Sequence, residues 1–218
     1  MIDINILFIT DTHDFINPDS IRKCIEEQKP ICVLCLGDVG ISDFQIIHNI
    51  SELKNIPIGA ILGNHDTLST FDILKSIGIY VADLNAKTFK VENISFFGLS
   101  GALRYKDNDS FAFLSHKESV DIMSAAPPVD ILISHDKPYF GSFSNSPFAQ
   151  DPHEGLAGLG QYIIEKHPQL HIHGHLHMRY DQINEGGCRE ICLYQYALVE
   201  INEINKEIQC NIVKQEQD

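Results

Sequence analysis

The amino-acid sequence predicts an α/β fold with mixed β-sheets. In the first half of the chain, short apolar runs rich in β-branched residues alternate with segments of helical periodicity. The last third contains short strand-like segments, which is typical of a meander. Five of the apolar runs end in polar residues, as expected for a site at the carboxyl ends of strands. Together these observations indicate two sheets packed against each other between helices.

The first predicted strand covers residues 4–10, which are apolar almost throughout. A helix follows, with Asp19 or Ser20 as its N-cap and with an apolar face formed by Ile21, Cys24 and Ile25. The pattern then predicts a strand at 31–36, a helix at 44–53, a strand at 58–62 and a helix at 69–77.

In the second half, residues 88–92 and 95–100 are predicted to form a pair of strands around Asn93. Ser115 and Glu118 form a capping box that opens a helix ending near Ala125. The remaining predicted elements are a strand at 131–134, a helix at 156–167, a strand at 170–173 and short strands near 190–194, 197–201 and 207–213. We expect one domain over residues 1–218, in which the strands of 188–213 complete a sheet.

Composition restricts the possible partners and location. The 218 residues carry a net charge of −14, and long nucleic acids are normally bound by basic surfaces, so we expect no long nucleic acid as partner. No apolar run approaches the ~20 residues needed to span a bilayer, which predicts no membrane association. The N-terminus lacks the basic segment of a signal peptide, and the six cysteines are scattered, so we expect a reducing cytoplasm.

Two of the cysteines, Cys32 and Cys35, form a C-x-x-C motif inside a predicted strand. Residues three apart on a strand point to opposite faces of the sheet. We therefore interpret both as small buried hydrophobic residues and not as a redox or zinc pair.

Seven potential metal ligands follow the predicted strands in chain order: Asp11, His13, Asp38, Asn64, His135, His175 and His177. Carboxylate, amide and imidazole groups suit Mn²⁺, Fe²⁺ and Zn²⁺, and no thiolate is interleaved among them. Seven such groups at five strand ends can hold two metal ions that share one carboxylate. A metal pair of this kind can activate water and bind both oxygens of an in-line displacement at phosphorus.

The ordered series D-x-H, G-D, G-N-H-D, H and G-H-x-H resembles the calcineurin-like metallophosphoesterase superfamily. The motifs span residues 9 to 177. The resemblance implies a four-layer α-β-β-α sandwich with two mixed β-sheets and a dinuclear site at the sheet edges. It also implies two divalent cofactor ions, for which Mn²⁺ is our expectation and Fe, Zn or Ni are alternatives.

The resemblance assigns a role to each matching position. Asp11, His13 and His177 would hold the first metal; Asn64, His135 and His175 would hold the second; and Asp38 would bridge them. His65 would stabilise or protonate the leaving oxygen after attack by a metal-bridging hydroxide, and Asp66 would orient His65.

One motif departs from the family pattern. The family sequence G-D-x-x-D is replaced here by Gly37-Asp38-Val39-Gly40-Ile41, so the later carboxylate is missing. We expect an altered supporting network with the metals retained. Asp43 is a candidate substitute for the missing carboxylate.

The motifs around Ser134–Pro138, His153–Gly155 and 168–177 are similar to small single-domain phosphoesterases, including metallophosphoesterase-domain proteins. The Asp-Arg-Gly signature of the serine/threonine protein phosphatases is absent. We therefore expect hydrolysis of a phosphodiester in a small or nucleotide-like phosphorylated substrate. The alternatives are a phosphomonoesterase, protein phosphatases included, and a non-catalytic interaction module on the same fold. The sequence does not predict the oligomeric state.

Four further residues are candidate substrate contacts: Arg104, Tyr139, His153 and Arg179. Tyr139 lies in the aromatic loop after His135, which either forms a lid over an aryl group or is held in place by its own aromatic residues. Arg179 follows the last ligand and either reaches a phosphate oxygen or forms a surface ion pair. His171 and His173 alternate with the last ligands but are predicted to be structural or to support the ligands without binding metal.

Overall fold

The computed structural model describes residues 4–143, 146, 148–204 and 207–215. Two six-stranded mixed sheets pack face to face, with helices on the outer face of each. The predicted four-layer α-β-β-α sandwich is therefore confirmed.

The first sheet has the strand order β14-β13-β1-β2-β3-β4. Strands β1 to β4 run parallel to one another, whereas β13 is antiparallel to β1 and β14 is antiparallel to β13. The bounds are β1 (Ile4–Thr10), β2 (Cys32–Leu36), β3 (Ile58–Ile61), β4 (Ala82–Asp83), β13 (Gln195–Ile204) and β14 (Glu207–Gln215).

The second sheet has the strand order β11-β12-β10-β9-β6-β5. Its four central strands are parallel, and the two edge strands are antiparallel to their neighbours. The bounds are β5 (Lys87–Val91), β6 (Ile94–Leu99), β9 (Ile131–Ser134), β10 (Leu170–His173), β11 (Tyr180–Ile183) and β12 (Arg189–Cys192). A short parallel pair, β7 (Ala102–Leu103) and β8 (Phe113–Leu114), lies apart from both sheets.

The helices cover the two outer faces. Helices α1 (Pro18–Gln28), α2 (Ile41–Glu52) and α3 (Thr70–Ser76) pack on the first sheet, and α4 (His116–Ala125) and α5 (Ala157–Lys166) pack on the second. None of these helices, which are those of the described residues, has the length and hydropathy to cross a membrane.

The alternation of side chains along the strands builds three apolar layers. Phe8 and Phe96 belong to the layer between the two sheets, whereas Leu7 and Leu132 face the helices on opposite sides. Cys32 lies in the layer between the sheets and Cys35 lies beneath the helices. The two thiols thus point to opposite faces, as predicted.

Two caps illustrate how sequence sets the helix ends. The Ser115–Glu118 capping box is confirmed, because each side chain bonds the backbone of the other residue. The predicted cap of α1 is wrong by two or three positions, since Asn17 accepts from the backbone of Asp19 and Ser20. Pro18 then occupies the first turn, where a missing N–H costs little.

Candidate metal centre

The predicted ligands lie at the carboxyl ends of five strands. β2 and β3 of the first sheet and β10 of the second end at a cavity of about 370 Å³. The ends of β1 and β9 adjoin it, since ligand atoms of Asp11 and His135 lie within 4.8 Å of one of Asp38. The cavity is lined by Asp38, Asn64, His65, Tyr105, Pro152, His153, His175, Leu176 and His177. Both sheets therefore contribute to the site.

Asp11, His13 and His177 form a first cluster, whose ligand atoms all lie within 4.8 Å of one another. The Nε2 atoms of the two histidines are 3.1 Å apart, and His177 Nε2 is 3.6 Å from Asp11 Oδ1. Asp11 Oδ1 is buried and accepts no hydrogen bond within the described part of the chain. A buried carboxylate oxygen without a donor fits a cation at this position, because the desolvated charge then has a partner.

Asp11, Asp38 and His135 form a second cluster of ligand atoms within 4.8 Å. His135 Nδ1 lies 2.8 Å from the carbonyl oxygen of Leu36 and therefore carries the proton. This leaves Nε2 free as a ligand atom, 3.1 Å from Asn64 Oδ1 and 3.3 Å from Asp38 Oδ2. A backbone acceptor that fixes the tautomer of a ligand histidine is typical of metal sites.

Asp38 and His135 are strongly coupled. Burial opposes ionisation of Asp38, but the His135 imidazole and the His65 backbone N–H lower the pKa of its carboxyl well below the ordinary value. Burial likewise opposes protonation of His135, yet the Asp38 carboxylate raises its pKa. An anionic, buried oxygen is therefore held at the junction of the two clusters, where a cation would compete with the His135 proton.

His175 approaches the second cluster from the other sheet. Its ring lies 5.1 Å from that of His135, and its backbone N–H donates to Asp11 Oδ2 at 2.9 Å. Its Nε2 faces the carbonyl oxygen of Pro152 at 3.1 Å, so Nδ1 is the nitrogen left to bind a metal.

The backbone of the site is strained at most of the predicted ligands. Five of them, Asp11, His13, Asp38, His175 and His177, have φ between 48° and 70°. This left-handed region is costly for side chains other than glycine and is concentrated at functional sites. Gly63 and Gly174 allow the loops to approach, because a Cβ would collide with Asp38 at the first and with Asp11 at the second.

His65 and Asp66 differ in their partners from the prediction. The His65 side chain lines the cavity and lies edge-on to His13, with ring centroids 5.1 Å apart. Burial lowers the pKa of His65, Asp38 opposes this shift, and His13 and Lys106 reinforce it. Asp66 Oδ2 accepts from the backbone N–H groups of Asp38 (2.7 Å) and Gly63 (2.8 Å). The expectation that Asp66 orients the His65 ring is therefore corrected: its described hydrogen bonds join the β2 loop to the β3 loop.

Two carboxylates, those of Asp14 and Asp43, join the loop after β1 to the start of α2. At Gly40 a Cβ would overlap the Asp14 carboxylate, which accepts from the backbone N–H and hydroxyl of Ser42. Asp43 Oδ1 accepts from the Ile16 N–H at 3.2 Å. Both carboxylates thus fasten the loop that carries His13 to α2. Asp43 supports this loop and belongs to neither ligand cluster of the described residues.

The structure brings one of the four candidate substrate contacts to the cavity. His153 lines it, with its ring 5.0 Å from that of His175. The Arg104 guanidinium pairs with Asp109 at 2.8 Å, and Arg179 donates to the carbonyl oxygen of Tyr194. The Tyr139 hydroxyl donates to the carbonyl oxygen of Ser142. These three side chains are not among the described residues that line the cavity.

His171 and His173 contact other protein groups, as expected for structural residues. His171 Nε2 lies 2.6 Å from the Ser134 hydroxyl, and His173 Nε2 lies 3.3 Å from Glu190 Oε1. The Tyr180 hydroxyl donates to the same Glu190 oxygen at 2.6 Å. This buried network lies behind the loops that carry His135 and His175.

Sequence reasoning missed three residues that support the site. Tyr105 lines the cavity, and the ring of Tyr194 stacks on His177 at 5.1 Å. Asp136 is fully buried, accepts from the Leu103 N–H at 2.9 Å and lies 3.9 Å from His175 Nε2. Asp136 follows a predicted ligand directly, so its position in the sequence was a usable signal.

The donor set fits two divalent ions. Carboxylate, amide and imidazole groups converge from both sheets, and a buried oxygen of Asp11 has no hydrogen-bond partner among the described residues. The first cluster, with Asp38 beside it, would hold one ion. Asp38, Asn64, His135 and His175 would hold the other.

Comparisons with known proteins agree with this geometry. The family model described as calcineurin-like phosphoesterase superfamily domain matches residues 4–192. A search of curated proteins finds no match. Among solved structures, TT1561 of Thermus thermophilus is 11% identical with a TM-score of 0.63, covering 98% of this chain and 100% of its own.

Two other similar structures have more informative names. A dimetal phosphatase from Danio rerio is 13% identical with a TM-score of 0.52, covering 97% of this chain and 99% of its own. A 5'-nucleotidase precursor from Thermus thermophilus is 12% identical with a TM-score of 0.55, covering 97% of this chain and 54% of its own. At these identities the structural likeness shows the fold, and the family match shows more: the chain belongs to the calcineurin-like phosphoesterase superfamily.

Proposed function

We propose that this protein is a dinuclear metal-dependent hydrolase that prefers a phosphodiester of a small or nucleotide-like molecule. The observation that carries the proposal is the pair of ligand clusters that share Asp11 and meet beside Asp38. Two bound divalent ions would acidify water and offset the negative charge of the phosphate. We propose Mn²⁺ as the metal, since oxygen and imidazole donors without thiolates suit it.

The side chains around the clusters have distinct proposed roles. The His65 N–H stabilises the Asp38 carboxylate, and the Leu36 carbonyl oxygen orients His135 so that its Nε2 faces the cluster. His65, the imidazole on the cavity wall beside His13, would donate a proton to the leaving oxygen. His153, on the wall formed with His175, would contact the phosphate or the other ester group.

The cavity supports a small substrate. Its volume of about 370 Å³ is at the lower end of the range of small-molecule sites, and the net charge of −14 opposes a long polyanion. A nucleotide-like substrate is consistent with the likeness in fold to 5'-nucleotidases. The six cysteines are free and buried, which supports our proposal of a cytoplasmic location.

The test is hydrolysis of bis-(p-nitrophenyl) phosphate and p-nitrophenyl phosphate by metal-stripped protein resupplied with Mn²⁺. We expect turnover that depends on metal and a higher kcat/KM for the diester. The Asp38→Asn variant, which keeps the shape of the side chain, should lose this turnover. A higher kcat/KM for the monoester would reverse the proposed preference. Two bound ions without turnover of either ester would favour the non-catalytic module.

A further inference from the structure

The ammonium group of Lys106 lies among three aromatic rings. Lys106 Nζ is 5.1 Å from the ring centroid of Tyr105, 5.1 Å from that of Phe111 and 5.3 Å from that of Phe113. Ring faces carry partial negative charge and stabilise a cation without taking its N–H donors into conventional hydrogen bonds. The aromatic cage therefore fixes the position of the charge and leaves its donors available.

Backbone contacts place this cage beside the turn that carries His65. The Leu68 N–H donates to the Ser110 carbonyl oxygen at 2.9 Å, and the Ala112 N–H donates to that of Asp66 at 3.3 Å. Thr67 and Phe111 form an isolated antiparallel bridge between these two contacts. The segment of the cage is thus bonded to the chain directly after His65.

Tyr105 connects the cage to the cavity. Its ring is one wall of the cage and is also part of the cavity lining, together with His65. Lys106 itself is not among the described residues that line the cavity, so Tyr105 is the residue shared between the ammonium group and the cavity.

The neighbouring cation, Arg104, is already paired with a carboxylate. Arg104, one of the four candidate substrate contacts predicted from the sequence, donates to Asp109 at 2.8 Å and to the carbonyl oxygen of Phe113 at 3.5 Å. For Lys106, the ion pairs of the described residues include no carboxylate within 4.0 Å of Nζ. A cation that is held by rings next to a residue of the cavity wall, in a chain of net charge −14, has the chemistry to attract an anion.

We propose that Lys106 binds an anionic group of the substrate that lies beyond the scissile phosphorus, on the leaving-group side. This inference rests on the proposed function and narrows the substrate class. The leaving alcohol or phenol would itself carry a phosphate or a carboxylate, and the caged ammonium would donate to that group. Lys106 is then a specificity-determining residue placed next to the proton donor His65.

The test compares two diesters that differ by one charge on the leaving group: methyl 4-nitrophenyl phosphate and methyl 3-carboxy-4-nitrophenyl phosphate. The measured quantity is the ratio of their kcat/KM values in Mn²⁺-loaded protein. In Lys106→Met this ratio, charged over uncharged, should fall about tenfold, as expected for one charge-assisted hydrogen bond at a partly exposed site. Lys106→Arg, which keeps the charge and the ring contacts, should restore most of the ratio.

Lys90→Met is the matched control, because it removes the same charge. Lys90 is exposed on the edge strand β5 and pairs with Ser95 at the start of β6, away from the carboxyl ends of the strands. This variant should keep the wild-type ratio. An unchanged ratio in Lys106→Met, even with both kcat/KM values lowered, would limit Lys106 to supporting the loop and would overturn the proposal. Absence of turnover of both esters by the wild-type protein would instead overturn the proposed function.

Discussion

The Asp66 carboxylate accepts a hydrogen bond from the backbone N–H of Asp38 at 2.7 Å. A residue of the loop after β3 therefore holds the loop after β2 at the centre of the site. The same oxygen accepts from Gly63 at 2.8 Å. Because Asp66 is almost fully buried, its two donors have no access to water as an alternative partner. The residue was expected to orient His65, but its described contacts make it a structural link between two ligand loops.

We expect Asp66→Ala to lower the free energy of unfolding by ~2–4 kcal/mol, because two buried N–H groups lose their acceptor. It should also weaken metal binding, since the Asp38 loop is no longer held. Urea unfolding and Mn²⁺ titration measure both effects. Glu165→Ala, which removes an exposed carboxylate from α5, is the control and should change neither. Wild-type stability in Asp66→Ala would contradict this role.

We expect His65→Ala to reduce kcat by ~10²–10⁴ for esters with poor leaving groups while the metal content stays unchanged. The reason is that His65 lines the cavity but belongs to neither ligand cluster of the described residues. The effect should be smaller for p-nitrophenyl esters, whose leaving group needs no proton. Steady-state kinetics with metal analysis test this, with His48→Ala on α2 as the control. Equal losses for both leaving groups would rule out proton donation.

Tyr194 is expected to hold His177 in its ligating position. The two rings are stacked with centroids 5.1 Å apart, whereas the His177 side chain is otherwise half exposed. Tyr194→Leu should weaken binding of one metal ion about tenfold, a typical cost of losing support for a ligand. Tyr194→Phe keeps the ring and should behave as wild type. Calorimetric titration distinguishes them, and equal affinities in all three proteins would show that the stack has no such role.

Glu190 is expected to stabilise the sheet behind the site in a pH-dependent manner. Its carboxylate accepts hydrogen bonds from the Tyr180 hydroxyl at 2.6 Å and from the Asn184 side-chain amide at 3.0 Å. It also pairs with His173 Nε2 at 3.3 Å. Burial opposes ionisation, but these hydrogen bonds and the charges of His171 and His173 lower the pKa of Glu190 below its ordinary value of 4.5. Because this pKa is lowered in the folded state, ionised Glu190 stabilises the fold above pH 4.5. That stabilisation is lost as the pH falls below 4.5.

Glu190→Gln should therefore lower the free energy of unfolding by ~3 kcal/mol at pH 7, because the Tyr180 hydroxyl and His173 lose a charged acceptor inside a buried network. The difference from wild type should shrink as the pH is lowered below 4.5. Urea unfolding over this pH range measures it, with Glu165→Gln on the exposed face of α5 as the control. A difference that stays constant down to low pH would contradict the ionised state of Glu190.

The parts of the fold with strong local patterns were predictable from the sequence. β1 and β9 have the predicted bounds, since their buried, β-branched runs have one stable arrangement. The two-residue strands β4, β7 and β8 were missed because they depend on partners distant in the sequence. β11 was missed because it is largely exposed and polar, so hydropathy did not mark it.

In the candidate site too, features with a local sequence pattern were predictable, and features set by distant contacts were not. The seven ligands could be selected because each directly follows a strand, and the topology then places strand ends together. The left-handed backbone at Asp11 and Asp38 and the contacts of Asp66 follow from how the loops pack, which no local pattern records. Lys106 was overlooked in favour of Arg104 because the sequence does not reveal that Arg104 is paired with Asp109.

The number of metal ions bound per chain tests the central claim most directly. We would titrate metal-free protein with Mn²⁺ by calorimetry and confirm the stoichiometry by elemental analysis after desalting. We expect two ions per chain in the wild-type protein and at most one in Asp38→Asn, because Asp38 lies between the two clusters. A single ion in the wild-type protein, or two retained in Asp38→Asn, would contradict a dinuclear centre that depends on Asp38.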